Sequence, residues 1–281
     1  MFIDIPSGEK IQQLAELYLG YHYDFVYNPL IENQPSKWCY IDSIPEIWNN
    51  PSLLFCYSHR VEDLSKKLSS FQNSCVVLFT NSDQNMSYEL CKPFLDSDKI
   101  KHIFCQNIGF LHPKASWLPI GIANKQWPHG DPVYLESVNR YTLQKLNHIF
   151  CSFSVSTNTT VREKCLQSIQ SFGIENKSYS SQSDYIDVLS QHCYAICPEG
   201  NGLDTHRFWE CLFVQTIPIV IRNPLTEQIH ADGLPCILID SWETFNPSNL
   251  PDYSSFLFDE SFYYKISFTR FYNDILMKNN I

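Results

Sequence analysis

Two Rossmann-like halves of an α/β fold, each a parallel sheet covered by helices, are predicted by three features of this 281-residue sequence. Short apolar runs of strand length alternate with stretches of helical spacing. The alternation restarts after the segment Tyr134 to Asn147. The length exceeds one domain of roughly 150 residues, and 44% hydrophobic residues are enough for two cores. The reading divides the chain into 1–145, 146–261 and a closing helix, 262–281, expected to pack back on the first half. Ligands of such folds sit outside the carboxyl ends of the strands, so a cleft between the halves is the expected site.

In the first half, Leu53 to Tyr57 is an apolar run bounded by Pro51 and Ser58 and reads as a buried strand. Val61, Leu64 and Leu68 recur at helical spacing. Cys75 to Thr80 is a second strand, followed by a helix around Tyr88 to Leu95. Ile103 to Cys105 is a third strand and Trp117 to Ile122 a fourth. In the second half, His148 to Val155 reads as a strand, and Ser156-Thr157-Asn158-Thr159 supplies caps for a helix through Ile169. Tyr185 to Ser190 is helical, Tyr194 to Cys197 a strand, and Thr205 to Phe213 a helix. Ile217 to Ile221 and Cys236 to Ile239 are strands, and Phe262 to Ile281 is the closing helix.

Composition narrows the function. Twenty Lys and Arg against 30 Asp and Glu leave a net charge of −10, which provides no field for gripping a nucleic-acid backbone. A small anion needs only one local positive pocket. No apolar run reaches the ~18 residues of a membrane span. Asp4, Glu9, Lys10 and Glu16 stand where a signal peptide is apolar, so a cytoplasmic protein without a membrane anchor is expected. Eleven irregularly spaced cysteines then read as reduced thiols, and the sequons at Asn85, Asn158 and Asn176 as chance matches.

The chemistry concentrates in Cys197 to Glu210. Only nine glycines occur in the chain, and Gly200 and Gly202 both fall here, between a strand and a helix, flanking Asn201. Asp204 or Thr205 can cap the helix, whose first turn then offers free N–H groups and a positive dipole end. Arg207 lies in that turn and can grip phosphate oxygens. Glu210, three residues on, shares its face and can accept hydrogen bonds from sugar hydroxyls. Spacing alone leaves an alternative of equal weight: a surface Arg–Glu pair beside a tight turn. There is no Walker A lysine, and the dinucleotide fingerprint is incomplete.

The run Cys197 to Val220, with Thr205-His206-Arg207, Trp209-Glu210 and Ile217-Pro218-Ile219-Val220, resembles the donor-binding motif of exostosin-like glycosyltransferases. Phe153 to Cys165, with Thr157, Asn158 and Arg162, and Leu118 to Asn124, with Trp127 and His129, are also similar to that family. Together these segments cover about a quarter of the chain, and within the family the size resembles the chlorovirus capsid glycosyltransferases. Cellular members usually carry an N-terminal anchor, and the expectation of a chain without one is the departure. The resemblance implies a GT-B architecture, with an acceptor-binding N-terminal domain and a nucleotide-sugar-binding C-terminal domain. It implies an inverting transfer, from UDP-xylose to a fucose-containing glycan or glycoprotein acceptor.

Carried onto this sequence, Arg207 with the Thr205 and His206 amides would bind the diphosphate, and Glu210 the ribose. Arg162 would face the same diphosphate, its plainer reading being a solvated helix residue beside Glu163 and Lys164. Inversion needs a base, expected at a strand end of the N-terminal domain. Asp83, directly after Cys75 to Thr80, is the first choice, with an Asx turn as its ordinary reading. His59, His129 and Asp131 are the alternatives. No metal or other cofactor is expected. Asp96-Ser97-Asp98 precedes a strand and reads as a solvated loop, and His192, Cys193 and Cys197 lack a partner pair to complete a zinc site. A non-catalytic nucleotide- or glycan-binding protein is the competing function. A serine hydrolase is disfavoured because no Gly-x-Ser-x-Gly elbow occurs.

Overall fold

Cys75 to Thr80 is apolar except at its last residue, and every one of its positions is buried at the middle of a parallel sheet. A strand covered on both faces reads as a continuous apolar run, which is why this one and Leu53–Tyr57 are visible in the sequence. The computed structural model describes residues 4–26, 34–127, 129–138 and 145–280. Of the expected linker, residues 139–144 lie outside the described residues, as does Ile281.

The strands are β1 (Leu17–Gly20), β2 (Trp38–Tyr40), β3 (Leu53–Tyr57), β4 (Cys75–Thr80), β5 (Ile100–Cys105) and β6 (Ala115–Trp117), then β7 (Leu146–Phe150), β8 (His192–Ile196), β9 (Ile217–Ile221) and β10 (Ile237–Ile239). The helices are α1 (Gly8–Gln13), α2 (His22–Val26), α3 (Val61–Ser65), α4 (Tyr88–Asp96), α5 (Pro132–Ser137), α6 (Thr159–Gln170), α7 (Gln182–Ser190), α8 (His206–Phe213), α9 (Pro224–Ala231), α10 (Glu260–Lys265) and α11 (Phe268–Asn279). One sheet has the order β2-β1-β3-β4-β5-β6 and the other β10-β9-β8-β7. All pairings within both sheets are parallel. The protein is thus a mixed α/β chain with two parallel sheets, compatible with two Rossmann-like domains. Among the described residues no helix is long and apolar enough to cross a membrane.

The chain divides into two compact units, Pro6–Gly130 with Phe268–Ile281, and Met1–Ile5 with Asp131–Ser267. The sequence reading placed these divisions at 145/146 and 261/262. In the first unit α11 lies against β4 and β5, with Phe271 edge-on to Trp117 at 5.3 Å and Lys101 Nζ donating to the Asn279 carbonyl at 3.0 Å. In the second unit Cys165 and Ile169 of α6 pack with Tyr194, Ile196, Ile217 and Ile219 of the sheet and with Trp242 and Phe245.

Several expectations are corrected. The expected strand Trp117 to Ile122 ends at Trp117, because Pro119 has no N–H to donate and Gly121 turns the chain with φ +63°. The strand expected to run to Val155 stops at Phe150, and Val155–Thr157 is a 3-10 turn leading into α6. The expected single closing helix is two, α10 and α11, split after Lys265. β1 and β2 have no counterpart in the sequence reading, being only four and three residues long.

Gly121 closes a contact that ties the start of α1 to the end of this sheet. The Ile122 N–H donates to the Pro6 carbonyl at 3.1 Å, and a Cβ at Gly121 would lie 2.1 Å from that same oxygen. Gly121→Ala combines this overlap with a left-handed backbone, so a loss of about 2 kcal/mol or more is expected. Calorimetric unfolding should show a midpoint lowered by several degrees; an unchanged midpoint would contradict this account of the turn.

Candidate functional site

The segment after β8 is held by its neighbours before any ligand is considered. The Gly200 N–H donates to the Gly202 carbonyl at 3.1 Å, and Asn158 Nδ2 donates to the Gly200 carbonyl at 2.7 Å. Asn158 is also the N-cap of α6, its Oδ1 accepting from the Val161 N–H at 3.3 Å. Thr205 is the N-cap of α8, accepting from the Phe208 N–H at 3.4 Å. Asp204 does different work. Its buried carboxylate accepts from Trp209 Nε1 with both oxygens at 3.0 Å and from the Thr205 N–H at 2.9 Å. The Thr205 amide that the sequence reading assigned to a ligand is therefore bonded to Asp204. Asn201 is exposed and Gly202 buried, while His206 opens the first turn of α8.

Two arginines meet at this carboxyl end of the four-stranded sheet. Arg162, in the first turn of α6, is 5% exposed and fixed by backbone carbonyls: Nε donates to Glu199 O at 2.9 Å and Nη1 to Ser154 O at 2.7 Å. Its Nη2 reaches past Gly200, where an added Cβ would sit 3.3 Å away, so glycine is what leaves this approach open. Burial and the neighbouring Arg207 pull the Arg162 guanidinium down to about 10, which still leaves it cationic at neutral pH. Arg207 differs. Its Nε is out of reach of water and has no hydrogen-bond partner. Burial opposes the Arg207 charge, and the neighbouring acidic groups, Glu210 among them, work against burial and leave the group above its ordinary range.

Glu210 is 7% exposed and accepts from the Tyr185 hydroxyl through Oε2 at 2.9 Å. No ion pair joins it to Arg207 among the described residues, so the surface-pair alternative from spacing does not describe the arrangement. Beside the turn, a cleft is lined by Glu199, Leu203, Phe208, Val220, Asn223 and Thr226, among others. Asn223 Nδ2 donates to Glu199 Oε1 at 2.8 Å, and burial pushes the Glu199 carboxyl up against that bond.

In the first unit the strand order reverses between β1 and β3, the switch point at which open α/β sheets bind ligands. Asp24, in α2 after β1, lies there with its side chain 6% exposed and fully engaged. Its Oδ1 lies 2.9 Å from His59 Nε2 and accepts from Arg60 Nη2 at 3.2 Å, while Oδ2 accepts from Arg60 Nε at 2.9 Å and the Tyr21 N–H at 2.7 Å. Arg60 also lies over the Tyr21 ring at 4.8 Å. Ser58 Oγ, at the end of β3, is buried with no partner. Of the expected bases, His59 is thus exposed but held by Asp24, and Asp83 is exposed in the loop after β4. Asp131 is the N-cap of α5, accepting from the Val133 N–H at 2.9 Å, and His129 is exposed just before it.

Sequence reasoning missed Asp24, Tyr185, Asp204 as a lock on Trp209, and Glu9. Glu9 is 2% exposed, with Oε1 unpartnered and Oε2 accepting from the Lys125 N–H at 3.3 Å, and burial raises its carboxyl. The i,i+5 step from Asp204 to Trp209 was readable as a cap that reaches one turn on; the others depend on contacts between distant segments. Asp96 ends α4 and pairs with Lys92 at 3.0 Å. All eleven cysteines are free thiols, and among the described residues no group of three His, Cys, Asp or Glu is placed to hold a metal.

Asp24 supplies a test by pH. Burial pushes its carboxyl up, but the bonds from His59, Arg60 and the Tyr21 N–H outweigh that and bring it to about 2. A carboxyl lowered on folding stabilises the fold above its unfolded value, near ~4, and loses that contribution as pH falls toward ~2. Asp24→Asn should cost about 2 kcal/mol at pH 7, and the gap from the unsubstituted protein should close between about pH 4 and 2 in urea unfolding. A gap that stays constant with pH would remove the charge from the explanation.

Comparison with known proteins finds no family model that matches this chain and no similar curated relative.

Proposed function

We propose that this protein is an inverting glycosyltransferase that binds a nucleotide-sugar donor at the carboxyl end of its four-stranded sheet. The observation that carries the reading is Arg207: a buried guanidinium nitrogen without a partner, beside a second arginine already tied to two carbonyls. An unpartnered buried donor costs at least about 1–3 kcal/mol, more when charged, and an anionic ligand would offset it. A diphosphate suits the pair, because guanidinium groups grip phosphate oxygens with two parallel hydrogen bonds. The first turn of α8 adds its dipole. Glu210, on the same helix face, would accept from the ribose hydroxyls.

In the reaction proposed, an acceptor hydroxyl oxygen attacks the anomeric carbon from the side opposite the diphosphate. The bond from that carbon to the diphosphate oxygen breaks, and its electron pair leaves with the nucleoside diphosphate. Arg162 and Arg207 stabilise the charge that develops there. The hydroxyl proton passes to a general base. Asp83 is the first choice from the sequence, with His59, whose ring is held by Asp24, His129 and Asp131 as the alternatives. The resemblance extends the proposal to a GT-B arrangement, to UDP-xylose as donor and to a fucose-containing acceptor glycan.

Thermal unfolding with nucleoside diphosphates tests the reading. UDP at 100 times its dissociation constant should add about 2.7 kcal/mol and raise the midpoint by several degrees, with or without a chelator. Arg207→Ala should abolish the shift. No shift with any nucleoside diphosphate would leave the reading without its support.

A further inference from the structure

Tyr185 stands outside every role described so far, although it touches the centre of the site. It lies in α7, and its hydroxyl donates to Glu210 Oε2 across to α8 at 2.9 Å. The ring is boxed by two others, Phe150 edge-on at 5.4 Å and Tyr179 edge-on at 6.0 Å, which themselves stack at 5.7 Å. Its direction is therefore set by packing and not by the bond it makes. Burial and the adjacent Glu210 push the phenol well above its ordinary range, so it is a donor at neutral pH. A carboxylate held through one oxygen keeps the acceptor sites of its second oxygen for another donor. No other hydrogen bond to the Glu210 carboxylate occurs among the described residues, so Oε1 is the oxygen left for a ligand.

We infer that Tyr185 is a positioning residue that aims Glu210 at the hydroxyls of the bound nucleotide's ribose, so that the site distinguishes ribose from a sugar lacking them. This rests on the donor-site reading above. A buried carboxylate built to accept from hydroxyls is left unpaired when they are absent, and such sites discriminate strongly. Tyr185 touches no ligand itself. It keeps Glu210 from turning toward the guanidinium of Arg207, which lies three residues away on the same helix.

The experiment is calorimetric titration with UDP and with 2′,3′-dideoxy-UDP, on the unsubstituted protein, Tyr185→Phe, Glu210→Ala and the double variant. Tyr185→Phe keeps the ring in its aromatic box, and its unfolding midpoint is measured alongside. The unsubstituted protein should bind UDP about tenfold or more tightly than the dideoxy compound. Tyr185→Phe should weaken UDP about fivefold and leave dideoxy-UDP unchanged, and it should add nothing in the Glu210→Ala background. Equal weakening of both ligands, or none, would overturn the inference and make the bond a strut between helices. UDP binding with no preference for ribose would overturn it while leaving the diphosphate reading intact. No binding of UDP by the unsubstituted protein would end both.

Discussion

A charged nitrogen shut away from water must find a partner or be held at a cost, and Arg207 Nε is held. What surrounds it explains how. Asp204 clamps Trp209 and the Thr205 N–H, which fixes the first turn of α8 and with it the root of the Arg207 side chain. Asn158 clamps the Gly200 carbonyl, and Arg162 is anchored through Nε on Glu199 and Nη1 on Ser154. None of these bonds satisfies Arg207. The loop is ordered by its own polar groups, and among the described residues Arg207 Nε is left without an acceptor, in a chain whose net charge is −10. A local positive pocket suffices for a small anion even where the net charge is negative.

The parallel sheets put these groups where they are. In each unit the carboxyl ends of the strands share one edge, so the segments that follow them converge there although they are far apart in sequence. Residues after β7 and β8 supply Asn158, Arg162 and Glu199 to one cluster. Residues after β1 and β3 supply Asp24, His59 and Arg60 to another. In the first cluster positive charge is left over; in the second the buried carboxylate is saturated by its neighbours. The difference follows from the charge count: Asp24 faces Arg60 and His59, while among the described residues no carboxylate comes within ion-pair distance of Arg162 or Arg207.

Some of this was legible. Fully buried strands announce themselves as apolar runs, so β3, β4 and β9 agree with the sequence to the residue. Arg207 and Glu210 were legible because a helix turns their three-residue spacing into one face. The short strands β1 and β2 were not, since four and three residues carry too little pattern. The break between α10 and α11 was hidden by aromatic residues that suit one long helix as well as two. Asp24 and Tyr185 were invisible for a different reason. Their bonds span 35 and 25 residues and exist only because particular strands and helices lie side by side. The bond from the Thr205 amide to Asp204 was not legible because Asp204 was read as one of two equivalent caps.

A crystal structure of the protein soaked with UDP tests the central claim most directly. The account predicts diphosphate oxygens within hydrogen-bond distance of the Arg207 and Arg162 guanidinium groups. A diphosphate bound elsewhere, or Arg207 turned onto a protein acceptor with the loop unliganded, would contradict it.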